Sequence, residues 1–209
     1  MPSLGVVRIA ADASFVMADI PGLIAGAADG AGLGAQFLRH LSRTRILLHV
    51  VDVLPEDGSD PIENALAIEQ ELAQYSDALS ERPTWLALSK VDQIDADTLV
   101  WLQGEMREMF PDRPVHAISA LGDIGLETLM AELMSFLTEQ RLLAQEDAEF
   151  ATYLAQLEER ISADVFAHSE KMRARRQPAM ADDPDQDLDD QEDDVDLGDG
   201  AVEVIYVRE

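Results

Sequence analysis

Asp19-Ile20-Pro21-Gly22 sets a carboxylate three residues before a glycine, directly after the β-rich run Phe15–Ala18. An aspartate there can hold a magnesium ion through water, and a glycine lets its backbone N–H come close to a terminal phosphate. Alone the group is weak, because Asp-x-Pro-Gly is also a common turn. Ser89-Lys90-Val91-Asp92 follows a second run, Thr84–Leu88. The two oxygens of Asp92 can accept a ring N–H and an exocyclic amine as a bidentate pair, which guanine offers and adenine does not. A site of that kind discriminates by about 10⁴, since the wrong base leaves a buried carboxylate unpaired. Taken alone, the same residues are equally well a surface charge pair. Ser119-Ala120-Leu121 follows a third run, Val115–Ile118, and by itself is almost uninformative.

Each group needs a strand to place it. Val6–Ile9 and Ser14–Ala18, joined by a short Ala-Asp turn, predict an antiparallel hairpin. Ile46–Val51 is a nearly continuous apolar run, as expected of a strand buried on both faces. Asp60-Pro61-Ile62-Glu63 opens a helix with a capping carboxylate, a first-turn proline and a glutamate, and Ile62, Leu66, Leu72, Tyr75 and Leu79 make its apolar stripe. A further helix follows Gly125 through Leu126, Leu129, Leu133, Phe136 and Leu137. Alternating strands and helices predict an α/β domain with a largely parallel sheet, whose ligands bind at the carboxyl ends of the strands. All three groups stand at such ends.

Between Gly22 and Gly34, five glycines fall within 13 residues, a loop suited to a segment ordered by a ligand and released without it. Gly30-x-Gly32 fails as a dinucleotide fingerprint, because the third glycine is misplaced. The run from Asp19 to Leu48, above all Asp19-Ile20-Pro21-Gly22-Leu23-Ile24 and Gly30-Ala31-Gly32-Leu33-Gly34 followed by Phe37-Leu38-Arg39-His40, closely resembles the switch II region of Obg (CgtA) GTPases. In that light Ser89-Lys90-Val91-Asp92 resembles the N-K-x-D motif that selects guanine, with serine where asparagine is usual. Ser119-Ala120-Leu121 resembles the S-A-x loop whose backbone N–H meets the guanine carbonyl.

The resemblance implies a GTP- and GDP-binding protein with Mg²⁺, slow GTP hydrolysis, and a role in assembly of the large ribosomal subunit and in stress or cell-cycle control. It implies contact with the large subunit or its proteins, a cytoplasmic location, and a monomer when complete. The nucleotide contacts it implies are Asp19, Ile20, Pro21 and Gly22, then Ser89, Lys90, Val91 and Asp92, then Ser119, Ala120 and Leu121. It assigns no catalytic residue here and no direct magnesium ligand. Leu23 stands where Ras-like GTPases place a water-orienting glutamine. Family members also carry a glycine-rich N-terminal domain, a G-x-x-x-x-G-K-[ST] phosphate loop and a switch I threonine, and no such phosphate loop occurs in this sequence.

The expected fold is therefore a truncated Ras-like GTPase sheet missing its first strand. That strand is central, so its loss should leave unpaired backbone on both sides and an unstable chain. The expected organisation is a truncated GTPase domain over 1–142, a helical extension over 143–176, and an acidic disordered tail over 177–209. Phe150, Tyr153, Leu154, Leu157, Ile161 and Val165 have the spacing of an amphipathic helix, with a basic exit at Lys171, Arg173, Arg175 and Arg176.

The formal charge of -27 is concentrated late: Asp182 to Asp199 holds 11 acidic residues and no basic one. Such a segment buries too little apolar surface to offset chain entropy, and it repels nucleic acid while suiting basic proteins. Val202–Val207 differs, and reads as a short strand or as an end that docks on a partner. The absence of cysteine excludes disulfides and thiolate metal sites, and no apolar run is long enough to span a membrane. The four histidines lack metal-site spacing, and His49 reads as a core residue. The alternative to an enzyme is a non-catalytic interaction fragment, whose helix and acidic tail bind a ribosomal or regulatory partner.

Overall fold

The computed structural model describes residues 3–21, 44–176 and 204–208. The glycine-rich segment from Gly22 onward, and with it the switch II reading, lies outside them. The hairpin forms as expected: β1 (Ser3–Ala10) pairs antiparallel with β2 (Ala13–Pro21), with an irregularity between Arg8 and Ala10. Then come β3 (Ile46–Asp52), α1 (Pro61–Tyr75), β4 (Thr84–Ser89), α2 (Ala96–Met109), β5 (Val115–Ala117), α3 (Leu126–Glu146), α4 (Ala148–Arg176) and β6 (Val204–Arg208).

Local chemistry accounts for the helix ends. Asp60 caps α1, its carboxylate accepting from the backbone N–H of Ile62 at 2.7 Å and of Glu63 at 3.3 Å. Asp95 does the same for α2 at Thr98. Asp147 stops α3 and caps α4 through the N–H groups of Glu149 and Phe150. Hence the second long helix starts at Ala148, after a single residue that ends one helix and opens the next.

The sheet is six-stranded, ordered β1-β2-β6-β3-β4-β5, and every pairing except β1–β2 is parallel. This overturns the expected gap. β6 lies between β2 and β3, in the place where a missing strand was anticipated, and pairs with both. Two facing edges offer an extended segment twice the usual ladder of donors and acceptors, and Val204, Ile205 and Val207 have the branched side chains that strands favour. These five residues are a strand of the sheet, not part of a disordered tail. The physical ground for expecting instability, unpaired backbone on both sides of a gap, goes with it.

The core lies on both faces of the sheet. Leu47, Ala18, Ile68, Leu72 and Leu79 pack with Leu157, Ile161 and Val165 of α4. So α4 packs against the sheet and α1. Val51, Leu86 and Leu88 meet α1 and α2 through Ala65, Leu102 and Met106. Across the sheet, Ile46, Leu48, Phe15 and Trp85 cover Leu129, Leu133 and Leu137 of α3. β3 contributes to both faces, as its unbroken apolar run requires. Its buried His49 sits 3.4 Å from Glu69, which also takes Arg113 at 2.6 Å.

Candidate nucleotide site

The carboxyl ends of the parallel strands share one side of the sheet, and two of the three candidate groups meet there. β4 runs through Ser89, whose hydroxyl donates to the Val51 carbonyl at 3.1 Å and so ties the end of β4 to β3. Lys90 then turns the chain with a left-handed backbone, φ 61°. Its ammonium donates to Asp52 at 2.5 Å, and this contact holds the lysine above its ordinary pKa. Val91 packs into the core, while its N–H donates to the Ile118 carbonyl at 3.2 Å. Asp92 emerges exposed, and among the described residues its carboxylate makes no hydrogen bond.

The loop after β5 closes against this turn. Ile118 N–H donates to the Leu88 carbonyl at 2.8 Å, and buried Ser119 accepts from Gly122 N–H at 2.8 Å through its hydroxyl oxygen. Ser119 and Ile124 exchange backbone hydrogen bonds, a small closed loop that leaves Ala120 and Leu121 exposed at its tip. The two loops are close: a Cβ at Gly122 would stand 3.4 Å from the Asp92 Cβ. Gly125 fixes the exit of the loop. Its φ is 70°, and a Cβ there would lie 2.2 Å from the Ala117 carbonyl oxygen, so only glycine fits.

Together these loops rim a cleft of about 590 Å³. Ser89, Lys90, Asp92, Gln93, Ser119, Ala120, Leu121 and Asp52 stand around it, and Met17, Leu48, Val50, Leu126, Leu129 and Met130 form an apolar floor between the sheet and α3. A largely apolar cavity of this size with a few convergent polar groups is the usual make-up of a small-molecule site. A carboxylate held on a short turn beside a backbone loop can read the N–H edge of a purine, and the apolar floor can take a ring face.

The third group stands apart from this cleft. Asp19, Ile20 and Pro21 belong to β2 itself, which runs three residues further than expected because Ser3 of β1 and Tyr206–Arg208 of β6 continue its ladders. Gly22 lies outside the described residues. The end of β2 is one strand away from the end of β3, since Pro21 and Val50 both face Arg208 in register. Among the described residues there is no cluster of three or more His, Asp or Glu side chains placed to hold a metal ion. Sequence reading missed Asp52. Its only signal was an acidic residue ending a buried strand, and its partner Lys90 is 38 residues away.

No helix among the described residues is long and apolar enough to cross a membrane. A family model described as "50S ribosome-binding GTPase" matches residues 2–90, from the hairpin through β3 and β4 to Lys90. Over this stretch, less than half of its length, the chain is similar to GTPases of that family.

Proposed function

We propose that the chain is a guanine-nucleotide-binding protein of the Obg type. One observation carries this: the Ser89–Asp92 turn and the Ser119–Leu121 loop, far apart in sequence, rim a single cleft. Asp92 accepts from the guanine edge, Lys90, positioned by Asp52, lies beside the ring, and the backbone at Ala120 and Leu121 approaches the base carbonyl. Ser89 stands in for the usual asparagine by using its hydroxyl to bind the neighbouring strand at Val51. Asp19–Gly22 is the segment that senses the terminal phosphate. When bound, Mg²⁺ neutralises phosphate charge. The finer reading, supported by the resemblance, is slow GTP hydrolysis serving large-subunit ribosome assembly and stress or cell-cycle control, in the cytoplasm, by a monomer.

Calorimetry of the 209-residue chain with GDP, GTP and ATP, each with magnesium, tests the core of this. Guanine-selective binding is expected. Equal affinity for GDP and ATP would remove the role given to Asp92. Absence of any binding would favour an interaction module built on α4 and the acid-rich stretch.

A further inference from the structure

β6 is the one strand that joins the two parts of the sheet. It pairs with β2 from Met17↔Val204 to Pro21↔Arg208, and with β3 from Ile46↔Val204 to Val50↔Arg208. β2 and β3 are neighbours of β6 and not of each other. They therefore stand two strand spacings apart, roughly 10 Å, across a slot that only extended backbone can fill. Residues 177–203, 27 in number, connect this strand to α4. A five-residue strand joined to the rest of its chain through 27 residues can act as a tethered ligand, whose docking is helped by effective concentration.

The slot also divides the floor of the cleft. Met17 comes from β2 on one side, and Leu48, Val50 and Asp52 come from β3 on the other. In register Met17 faces Val204, Leu48 faces Tyr206 and Val50 faces Arg208. The strand thus spans the line along which the two walls would part. Without it, among the described residues, the β1–β2 hairpin has no backbone pairing to β3, and Ile46–Val50, the stretch that leads to Asp52, becomes an unpaired edge.

We propose that the slot between β2 and β3 is a strand-docking site, and that reversible docking of the chain's own segment 204–208 assembles the guanine cleft. The nucleotide part of this rests on the function proposed above, and the docking part does not. Docked, the segment joins the hairpin wall to the β3 wall and stabilises the bound form. Undocked, it lets the walls separate and affinity fall. Nucleotide binding and strand docking then favour each other by the same factor, as linkage requires.

The chain has no cysteine, which makes the test direct in the full-length protein. Ala18 and Ile205 are register partners, at a spacing that suits a disulfide. Mild oxidation of A18C/I205C should give one intramolecular disulfide in a monomer. The oxidised form should melt several degrees above the reduced form and bind GDP at least as tightly. Ile205→Pro removes a donor from a central strand and should weaken GDP binding about tenfold or more while helix content holds. Failure of the disulfide to form would overturn docking. A disulfide only between chains would show a second copy in the slot and overturn the self-docked arrangement. Equal GDP affinity in the oxidised and reduced forms and in Ile205→Pro would overturn the coupling. If the wild-type chain binds no GDP, the guanine reading and the coupling fall together, and the disulfide still decides docking.

Discussion

At the scale of single residues, the site depends on two aspartates that differ in how visible they are. Asp92 stands out through its spacing from Lys90, because a turn after a strand needs those residue types within a few positions. Its carboxylate presents two acceptors, whereas the amide of an asparagine side chain presents one acceptor and one donor and would set an N–H against a purine amine. Asp92→Asn should therefore cost GDP about 100-fold in affinity, with little change in melting temperature since the side chain is exposed. Asp52 could not be found in this way. Its role exists only because β3 and β4 are adjacent, which brings it within 2.5 Å of Lys90 across 38 residues of chain. Asp52→Ala should weaken GDP binding about tenfold by releasing Lys90. It should also let the Lys90 pKa fall back toward the ordinary lysine value, since the Asp52 hydrogen bond leads the causes that raise it. The protein has only two lysines, Lys90 and Lys171, so an NMR titration of labelled lysine can follow it.

At the scale of elements, periodicity and caps located most strands and helices, because those signals are local. The Asp60 cap of α1 and the unbroken run of β3 appear where expected, whereas α1 ends at Tyr75 and Leu79 of the expected stripe lies in a separate 3-10 turn, Asp77–Glu81. Ends were harder. β2 continues through Pro21 because β1 and β6 supply partners there, and no property of Asp19–Pro21 alone announces partners. Gly125 shows how a single position ties an element to the site. It must turn the chain from the Ser119 loop into α3 with positive φ while passing the Ala117 carbonyl. Gly125→Ala should destabilise the protein by about 2 kcal/mol, and urea denaturation would measure it. Because the clash falls on Ala117 and Ile118, directly before the Ser119–Leu121 loop, GDP affinity should fall as well. Unchanged affinity in a stably folded Gly125→Ala protein would separate that loop from the base.

At the scale of the whole molecule, the buried ion group beneath the sheet sets a response to acid. Burial alone would raise the pKa of Glu69, but the neighbouring His49 and Arg113 outweigh it and hold the carboxyl at about 2, against an ordinary 4.5. A carboxylate shifted downward on folding stabilises the native state above its unfolded pKa. It loses that contribution as pH falls through the folded value. The window for Glu69 therefore runs from about 4.5 down to about 2, and linkage makes the effect about 3 kcal/mol. Glu69→Gln should flatten the acid limb of the stability–pH curve over that window, and should be less stable than wild type near neutrality. A limb of unchanged steepness would place the acid sensitivity elsewhere among the 42 acidic residues.

What the sequence by itself determined was local: an α/β chain, a hairpin at its start, and a capped helix opening at Asp60. Each of these follows from residue types within a few positions of one another. Tertiary structure decided which distant pieces are neighbours. It joined Asp52 to Lys90, brought the Ser119 loop against Asp92, laid α4 on the sheet, and seated Val204–Arg208 between β2 and β3. A strand's place in a sheet depends on which edges stand open to receive it, and open edges are a property of the folded assembly of strands rather than of any segment within it.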